Sequence, residues 1–497
     1  MAGTIETDVV IVGAGPVGTT LALLLARESV RVILADKAAE IYPLPRAAHI
    51  DHEIVRVFQS VGAAEAIMAA SKATTYYDFL TASGELLMRF GGVDQTSPSG
   101  WPASNMIHQP SVEAVLRNVI AKTPAIRLQT EWTLTAQSGT DGGVVALFDT
   151  PQGEQKVRAR FLVGCDGARS TVREQAGIEL EDLDFDEPWL VIDTLVRDPS
   201  RLPDRNLQIC DPKRPTTCVL MGSGRHRWEF MLKPGETAEE ALDDGFIAEL
   251  MKPWKVDGAV TLERKAVYRF HALIARQWRK GPVFLAGDAA HQTPPFAGQG
   301  LCAGVRDAAN LAWKLGMVLR GEASDSLLDT YRTERAPHVR AAIELALMMG
   351  RTVCITDAAA AAARDKAMLE RGVGGGSGSR GALSGPPFAA GCILAGSDAA
   401  GSYFPQPWSR DRTARLDDVA GPGPWLIARN GGARSSSLAT VSLDDARIAP
   451  FAADLARWLD QHGGDAVLVR PDRYVFGTGS AGALSAAWSK AIAGAPA

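Results

Sequence analysis

The pattern of apolar and polar positions at the start of the chain predicts a strand–helix–strand unit. Thr7–Gly13 contains the apolar run VVIV, Pro16–Glu28 repeats apolar residues with helical spacing, and Arg31–Asp36 contains a second apolar run. A helix between two short apolar runs is typical of parallel strands joined by a crossover connection. We therefore expect a Rossmann-like βαβ unit at residues 7–36.

Strand-like alternation replaces this pattern between about residues 180 and 275. The segments WLVIDTLV, TTCVLM and RWEFML alternate as expected for a sheet with one covered face. Apolar strands that end in turns occur at Phe161–Gly167 and in PVFLAGD, and helical sequence continues from about residue 298 to 370. The composition of residues 371–387 predicts a flexible linker, and a smaller α/β segment follows it.

Three glycines in VVIVGAGPVG have the spacing of a dinucleotide-binding turn. Gly13 makes the tight turn after the strand, Gly15 lets a pyrophosphate approach the backbone, and Gly18 permits close helix–strand contact. The following helix presents free N–H groups and a partial positive charge to the phosphates. Asp36, at the end of the second strand, is placed to accept the adenosine ribose hydroxyls.

Composition narrows the classes of function. The net charge of −5 provides no basic face for nucleic acid and favours a small-molecule role. The sequence has no run of about 18 unbroken apolar residues and opens MAGTIETD without a basic n-region, so we expect neither a membrane span nor a signal peptide. The six cysteines show no CxxC pair and no zinc spacing, which predicts reduced thiols, no metal site and a cytoplasmic location.

Two further motifs stand at the ends of apolar strands. In CDGARSTVR, residues 165–173, Asp166 and Gly167 are by themselves only a turn signal. In GDAAHQTPPFAGQG, residues 287–300, an acid, a histidine, two prolines and several glycines follow the run PVFLA. A plain turn needs one or two of these residues, so the second motif indicates a binding loop.

The three motifs in this order resemble those of the single-component flavoprotein aromatic hydroxylases, the class A FAD monooxygenases. GAGPVG, CDGARSTVR and GDAAHQTPPFAGQG correspond to that family's GxGxxG, DG and GD motifs, over residues 1 to about 350. The resemblance implies bound FAD, NADH or NADPH as a transient co-substrate, and O2. It also implies hydroxylation of a phenolic ring through a flavin C4a-hydroperoxide.

Within the family, several segments resemble those of 3-(3-hydroxyphenyl)propionate hydroxylase. They are PRAAHIDHE, HQPSVEAVLR, RHRWEFMLKPGET, VRDAANLAWKL and LVRPDRYVF. This resemblance implies a small phenolic substrate, such as a 3-hydroxyphenylpropionate-like acid. Polyketide-tailoring hydroxylases and other phenol or resorcinol hydroxylases share the three motifs and stay open as alternatives. A non-oxygenating flavoprotein and a non-catalytic FAD-binding scaffold are the remaining alternatives.

The pattern and the resemblance together imply a fold of mixed α/β and α+β class. A discontinuous, Rossmann-like FAD-binding domain is expected at residues 1–75, 105–180 and 280–370. An inserted β-sheet substrate-binding domain is expected at residues 76–104 and 181–279.

The rest of the chain is expected to form a separate domain. Residues 371–387 are the linker, and residues 388–497 are expected to form a thioredoxin-like C-terminal domain without redox cysteines. By analogy with the family, this domain suggests subunit contacts and therefore a homodimer.

By their positions in the motifs, several residues outside the glycine turn are assigned to FAD. Arg46 and Gln109 are expected to contact it between adenosine and the ribityl chain, and Asp288 to bind the ribityl hydroxyls. Asp166 and Gly167 are implied both in FAD contacts and in NAD(P)H use.

The segment after Asp288 is expected to shape the site of the flavin ring. Gly298 and Gly300 let the backbone come close to the ring, and Leu301 belongs to the same cofactor-binding segment. The helix that begins here points its N–H groups at the flavin N1–C2=O edge, where its dipole favours the reduced, anionic flavin.

The resemblance leaves little acid–base work to side chains, because the cofactor carries the hard chemistry. His291 and Pro295, within the third motif, and His49 are the candidate catalytic residues. A structural hydrogen bond is the competing interpretation of His291. Arg225 and Arg227 are alternative anchors for a substrate carboxylate, although solvated charges on a hairpin are the favoured interpretation.

Overall fold

A computed structural model describes residues 3–43, 46–91, 96–372, 385–430 and 438–494. Most of the expected linker, residues 373–384, lies outside these ranges. Within them the strands, numbered β1 to β25 in chain order, are Ile5–Glu6, Val9–Val12, Val32–Asp36, His49–Asp51, Lys72–Ala73, Tyr76–Leu80, Leu86–Gly91, Ser104–Met106, Ile126–Thr130, Thr133–Thr140, Gly143–Thr150, Gly153–Ala159, Phe161–Gly164, Leu180–Val196, Asn206–Ile209, Thr216–Met221, Arg225–Met231, Val260–Ala275, Arg279–Lys280, Val283–Leu285, His291–Gln292, Trp425–Ala428, Ala439–Ser442, Ala466–Val469 and Val475–Gly479. The helices, numbered α1 to α13, are Pro16–Arg27, His52–Ser60, Ala64–Ala69, Gln109–Ile120, Thr171–Gln175, Ala238–Ala241, Asp244–Met251, Gly300–Leu319, Thr330–Val353, Ala358–Arg371, Leu416–Ala420, Ala452–Gln461 and Ala481–Ile492.

A six-stranded sheet carries the dinucleotide motif. Its order is β19-β20-β13-β2-β3-β9, and the neighbours from β20 to β9 are parallel. All residues of β2 are buried, as expected for a parallel strand covered on both faces. β2, α1 and β3 confirm the predicted N-terminal βαβ unit. Because the strands are parallel, the three motifs that follow β2, β13 and β20 meet at one edge of the sheet.

An eight-stranded sheet lies against this domain. Its order is β21-β18-β14-β17-β16-β15-β6-β7, and the long antiparallel pair β14 and β18 lies near one edge. Trp228 and Phe230 point to one face, where they pack with residues of α6 and α7 in an apolar core. The strand alternation predicted for residues 180–275 is confirmed. The domain boundaries themselves stay a prediction.

The C-terminal region contains a four-stranded sheet of order β23-β22-β24-β25. β22 and β23 are parallel, whereas β24 and β25 each run antiparallel to the preceding neighbour. α12 lies between β23 and β24 in the chain, and α13 follows β25. This order, with the first strand central and the second at the edge, agrees with the expected thioredoxin-like fold. The homodimer stays a prediction.

Buried ion pairs join the C-terminal region to the FAD-binding domain. Nη2 of Arg470 lies 2.7 Å from Oε2 of Glu334, and both side chains are fully buried. Nη2 of Arg56 lies 2.7 Å from Oδ1 of Asp417, again with almost no exposure. Because a buried charge is costly unless it is paired, these contacts fix one docking geometry.

Two smaller sheets, β1-β12-β11-β10 and β4-β8-β5, complete the architecture of the described residues. No single helix among them is both long and apolar enough to cross a membrane, and Asp325–Val353 with Ala358–Arg371 reach that length and composition only as a pair bent by 115°.

Candidate active site

A cavity of about 970 Å³ begins at the carboxyl edge of the parallel sheet and reaches one face of the eight-stranded sheet. The glycine turn and Asp36 line one end, and side chains of β14, β16, β17 and β18 line the other. The third motif, at Pro295 and Gly298, lines the cavity as well. One continuous space therefore connects the dinucleotide motif to the substrate sheet.

The three glycines of the turn have three different surroundings. A β-carbon on Gly13, which has φ +103°, would lie 2.4 Å from the carbonyl oxygen of Cys165. A β-carbon on Gly18 would lie 1.9 Å from the carbonyl oxygen of Gly13, whereas one on Gly15 would have nothing within 4 Å. α1 begins beside Gly15 without a side-chain cap, so its first N–H groups face this open space. The turn fits a pyrophosphate.

Asp36 lies at the end of β3 and is held by the glycine turn. Its Oδ2 accepts a hydrogen bond from the backbone N–H of Ala14 at 2.6 Å, and its Oδ1 accepts one from Ala38 at 2.8 Å. The carboxylate therefore fixes the turn and also lines the cavity, where it retains acceptor capacity for ribose hydroxyls.

Arg46 and Gln109 both line the cavity between its two ends. Oε1 of Gln109 accepts a hydrogen bond from the backbone N–H of Ala47 at 2.8 Å, which fixes the backbone next to Arg46. Nε2 of Gln109 donates to Glu113 at 2.8 Å. The guanidinium of Arg46 lies 4.7 Å from the centre of the Tyr42 ring. Arg46 and Gln109 are therefore placed to contact an extended cofactor in the middle of the cavity.

Asp288 stands on the short turn Gly287–Ala289 after β20, and its side chain is open to the cavity. Desolvation within the cavity raises the pKa of Asp288, and the charges of His291 and Arg46 oppose this effect. Within the described part of the chain, no side chain donates a hydrogen bond to it. A carboxylate with open acceptor sites in a cavity fits a polyhydroxyl chain such as ribityl.

The N-terminus of α8 opens onto the cavity next to Asp288. Gly298 has φ +61°, and a β-carbon there would lie 3.1 Å from Nδ1 of His49. Gly300 begins the 20-residue helix, Gln299 at its N-cap provides no side-chain cap, and Leu301 lines the cavity. The uncapped N–H groups and the helix dipole together favour negative charge at this point.

Asp166 and Gly167 line the cavity wall after β13. Asp166 accepts hydrogen bonds from the hydroxyl of Ser170 at 2.5 Å and from the backbone N–H of Val172 at 3.1 Å. Burial raises its pKa, although these hydrogen bonds oppose the effect. Gly167 has φ +80° and open space around it. Asp166 thus shapes the loop that carries this wall.

Of the three catalytic candidates, His291 does not line the cavity. Its ring is fully buried, and Nε2 lies 2.6 Å from Oδ2 of Asp307. Asp307 also accepts hydrogen bonds from the backbone N–H of Gly287 at 3.1 Å and from Nε of Arg335 at 3.0 Å. This arrangement supports the structural interpretation of His291, because it anchors the turn that presents Asp288.

His49 and Pro295 do line the cavity. Nδ1 of His49 lies 3.1 Å from the carbonyl oxygen of Gly298, and Nε2 lies 2.9 Å from the hydroxyl of Ser104. Burial lowers the pKa of His49, which favours the neutral ring. Pro295 begins the short turn Pro295–Ala297. Both residues hold the wall next to Gly298.

The sheet end of the cavity combines apolar and polar side chains. Its apolar lining consists of Phe90, Met106, Val191, Val219, Phe270, Phe296, Leu345 and Met349. Its polar lining includes Tyr77, Asn206, Thr217, Arg227, Glu229, Arg264 and Tyr268. A planar ring with a few hydroxyl groups matches such a surface.

Arg225 and Arg227 differ from the expectation of solvated hairpin charges. Arg225 forms two hydrogen bonds with the Glu263 carboxylate, at 2.7 and 2.6 Å. Arg227 is 5% exposed and contacts both carboxylate oxygens of Asp193, at 2.6 and 3.2 Å. The expectation is wrong for Arg227 because β17 is an inner strand, between β14 and β16.

Sequence reasoning missed Tyr77 and Glu229 as cavity residues. Tyr77 comes from β6, far from the motifs in sequence. Glu229 was detectable in principle, since the alternation in RHRWEFM places Arg227 and Glu229 on the face opposite Trp228. Among the residues that the structure describes, no three His, Cys, Asp or Glu side chains are grouped to hold a metal ion.

Family models match most of the chain. A model described as "FAD binding domain" matches residues 6–346, and one described as "HcaD C-terminal domain" matches residues 433–494. The chain is 37% identical to a probable NADH-specific resorcinol 4-hydroxylase of Rhodococcus jostii, over 96% of this chain and 92% of that protein. It is 39% identical to a 3-(3-hydroxy-phenyl)propionate/3-hydroxycinnamic acid hydroxylase of Mycolicibacterium smegmatis, over 72% of this chain and 63% of that protein.

A solved structure shows the same fold over the whole chain. The flavin-dependent monooxygenase PieE, in complex with FAD and substrate, superposes with a TM-score of 0.82 at 22% identity, over 99% of this chain and 100% of that chain. The cavity geometry fits FAD, and the family match covers the domain that forms it. The chain therefore belongs to the FAD-dependent aromatic hydroxylases of class A.

Proposed function

We propose that this chain hydroxylates a small phenol of the resorcinol type, with NADH or NADPH as reductant and O2 as oxidant. The observation that carries this proposal is the continuous cavity, which joins an open glycine turn to a sheet face where aromatic and aliphatic side chains alternate with polar groups. The full-length similarity to a protein named as a resorcinol hydroxylase supports the same substrate class.

The residues that would hold FAD follow the length of the cavity. Gly15 and the N-terminus of α1 bind the pyrophosphate, and Asp36 binds the adenosine ribose. Asp288 binds the ribityl chain, and Gly298 to Leu301 bring backbone N–H groups to the flavin ring. When bound, FAD supplies the redox chemistry, taking a hydride from the nicotinamide and passing one oxygen atom of O2 to the ring.

Gln109 and Arg46 hold the middle of the cofactor, and the Asp166–Gly167 loop forms the wall where the nicotinamide nucleotide enters. His49 and Pro295 fix the backbone around Gly298. The apolar side chains of the sheet, with Phe296, exclude water from the reacting ring and orient it. In this assignment His291 is a structural residue.

At Arg225 and Arg227, the arginines considered as carboxylate anchors, the structure favours a neutral phenol over an acid. Arg225 does not line the cavity, and Arg227 is already paired with Asp193, so a substrate carboxylate at Arg227 would have to displace Asp193. Breaking such a buried pair leaves an uncompensated charge and is strongly unfavourable.

A 3-hydroxyphenylpropionate-like acid is the second candidate, because the exposed cation Arg269 also lines the cavity. The side chain of Arg269 is 54% exposed, and its ion pair with Asp186 is 3.3 Å long. An exposed, screened pair contributes little, so Arg269 can exchange Asp186 for a substrate carboxylate at low cost.

The experiment compares oxidation of NADH and NADPH in air with resorcinol, with 3-(3-hydroxyphenyl)propionate and with neither. We expect resorcinol to accelerate oxidation and to gain one oxygen atom, labelled when 18O2 is supplied. Acceleration that yields only hydrogen peroxide would show that the ring is a mimic of the substrate. If no phenol in a broad panel is hydroxylated by FAD-loaded protein, the proposal is wrong.

The variant Arg269→Ala separates the two candidates. It should leave KM for resorcinol unchanged if the phenol is neutral. A rise in KM of about tenfold confined to the arylpropionate would place the carboxylate at Arg269 and favour the acid as substrate.

A further inference from the structure

Glu229 is a buried carboxylate on the wall of the substrate cavity. It lies on β17, where it is 7% exposed and lines the cavity on the same face as Arg227. Its neighbours across the sheet are Val191 on β14 and Thr217 on β16. Both of these also line the cavity, so Glu229 occupies the middle of the wall that faces a bound ring.

Most of the acceptor capacity of Glu229 remains open to a ligand. The nearest cation, Nη1 of Arg227, is 3.6 Å from the carboxylate, a long contact that lowers the pKa of Glu229. That Nη1 donates instead to the carbonyl oxygen of Arg46 at 2.7 Å, and Nε of Arg227 donates to Asp193 at 2.6 Å. Buried carboxylates in native proteins are normally hydrogen-bonded, so the open side of Glu229 is suited to a donor that enters the cavity.

Two nearby hydroxyl groups are directed away from Glu229. The hydroxyl of Tyr77 donates to Oε1 of Gln208 at 3.1 Å, and the hydroxyl of Thr217 donates to the same oxygen at 2.8 Å. Gln208 is completely buried, and its Nε2 donates to the carbonyl oxygen of Thr216 at 3.1 Å. Because both hydroxyl protons are donated to Gln208, neither hydroxyl donates to Glu229. The carboxylate of Glu229 is therefore open to the O–H group of a substrate.

Burial makes Glu229 a stronger base than an exposed carboxylate, although the nearby cations oppose this effect. Burial raises its pKa, Arg227 on the same strand lowers it, Asp193 on β14 raises it, and Arg264 on β18 lowers it. The side chain of Tyr77, on β6, has a pKa raised by burial and then by the charge of Glu229, so it stays protonated. A buried base with a raised pKa is suited to proton transfer from a phenol.

We propose that Glu229 is the catalytic residue that accepts the proton of the substrate's phenolic hydroxyl. This inference rests on the proposed function. The phenolic O–H bond breaks, the proton moves to a carboxylate oxygen of Glu229, and the electron pair stays on the ring as a phenolate. The ring becomes a better nucleophile toward the incoming oxygen atom, and the proton returns when the product phenolate is released.

The competing role for Glu229 is to neutralise Arg227. Asp193 already contacts Arg227 through two hydrogen bonds, whereas Glu229 remains at 3.6 Å. The two roles predict different dependence on the acidity of the substrate. Loss of a proton acceptor is felt less by phenols that ionise readily, whereas loss of structural charge balance affects all phenols alike.

The test measures product formation by Glu229→Gln and by wild type on resorcinol and on a series of fluorinated resorcinols of decreasing phenol pKa. FAD content is determined for each sample and used to normalise the rates. We expect E229Q to lower kcat about 100-fold on resorcinol, with a loss that shrinks along the series and at higher pH as the phenol ionises in solution. Thr217→Val, the neighbour on the same face, is the control and should lower kcat by one constant factor along the series.

A loss in E229Q that is equal for all phenols and independent of pH would overturn the inference, as would no loss at all. Both results leave wild-type hydroxylation intact, so the proposed function would stand. Failure of wild type to hydroxylate any phenol would overturn the proposed function and the role of Glu229 together.

Discussion

A β-carbon on Gly18 would lie 1.9 Å from the carbonyl oxygen of Gly13, so α1 can approach the strand-end turn only because position 18 is glycine. Gly15, between them in sequence, would meet nothing within 4 Å. The same motif therefore contains one glycine required by packing inside the protein and one whose free side is open to a ligand. Substitution with alanine separates the two requirements.

Gly18→Ala is expected to disrupt folding. A methyl group at 1.9 Å from a backbone oxygen cannot be accommodated without moving α1 away from β2. Overpacking in a core typically costs about 1–3 kcal/mol, and a rigid backbone neighbour places this case at the upper end. Urea denaturation of FAD-free protein measures the loss. A variant as stable as wild type would contradict the close contact.

Gly15→Ala is expected to fold normally and to bind FAD poorly. Gly15 has φ −71° and ψ −175°, which alanine adopts without strain. The methyl group enters the open space assigned to the pyrophosphate, so we expect the Kd for FAD to rise about 10- to 100-fold, or about 1.4–2.8 kcal/mol. Titration of flavin fluorescence measures the Kd. Unchanged affinity together with unchanged stability would show that the pyrophosphate lies elsewhere.

Asp288→Asn is expected to change stability and FAD affinity in opposite directions. Because the surrounding protein raises the pKa of Asp288, its ionised form disfavours the folded FAD-free state at neutral pH. The variant should therefore be more stable than wild type at pH 7, and this difference should disappear as pH falls below the ordinary carboxyl value of 3.8, where wild type is protonated in both states.

The same variant should bind FAD about tenfold more weakly, because a neutral amide replaces a charged acceptor of ribityl hydroxyls. Urea denaturation at two pH values and flavin titration measure the two effects. A variant that is less stable than wild type at pH 7 would show that Asp288 has a stabilising partner in the folded protein.

The motifs could be predicted because the residues that interact within them lie close together in the sequence. The glycine turn, the α1 N-terminus and Asp36 lie within 30 residues of one another, and the tight contacts at Gly13 and Gly18 follow from that spacing. Asp288 is likewise placed by the exit of one apolar strand. For these residues, neighbours in the sequence are also neighbours in the structure.

His291 shows where local reasoning fails. It lies three residues after Asp288 in the binding loop, yet His291 and Gln292 form a short strand paired with β18. Successive side chains of a strand point to opposite faces, so Gln292 lines the cavity and His291 points into the core toward Asp307. The partner Asp307, on α8, could not be read from the motif.

The substrate end could not be assembled from sequence for a related reason. Tyr77, Gln208 and Glu229 come from three strands whose order in the sheet is set by long-range pairing. Alternation identifies which residues share a face of one strand, but not which strand lies beside it. The inner position of β17 also explains why Arg227 is buried.

Gln406→Ala is expected to weaken substrate binding from the C-terminal region. Nε2 of Gln406 donates to the carbonyl oxygen of Ser99 at 2.6 Å, and its backbone N–H donates to Pro98 at 2.6 Å. Ser97 and Pro98 line the main cavity, so Gln406 holds part of its wall. The variant loses the side-chain hydrogen bonds to Ser99 and Gln59 and keeps the backbone hydrogen bond to Pro98. A loss of about 1 kcal/mol at the wall should raise KM for the phenol about fivefold, with little change in FAD content.

Gln461→Ala is the matched control for this variant, since Gln461 is an exposed glutamine of the same region that does not line the main cavity. Steady-state kinetics give KM for both. Equal KM values for Q406A and Q461A would show that the Ser97–Pro98 wall holds its position without Gln406.

Glu334→Gln is expected to destabilise the protein in a pH-dependent way. Oε2 of Glu334 accepts hydrogen bonds from Lys314 and Arg470, each at 2.7 Å, in a fully buried site. Burial alone would raise the pKa of Glu334, but the two cations lower it from 4.5 to about 2. The carboxylate therefore stabilises the fold fully above its ordinary pKa of 4.5, and this contribution is lost as pH falls toward 2.

At pH 7 the variant leaves two buried cations without their shared partner, which should cost about 3–5 kcal/mol in the free energy of unfolding. The difference from wild type should be largest between about pH 5 and 7, below the pKa of about 8 to which burial lowers Lys314, and should narrow as pH falls below the ordinary carboxyl value of 4.5. Urea denaturation across this range measures it. Glu322→Gln, which breaks a half-exposed pair with Arg320, is the control and should change stability by less than about 1 kcal/mol at every pH. If E334Q matched that control, the buried cluster would contribute no more than a surface ion pair, and the docking of the C-terminal region would have to depend on its apolar contacts instead.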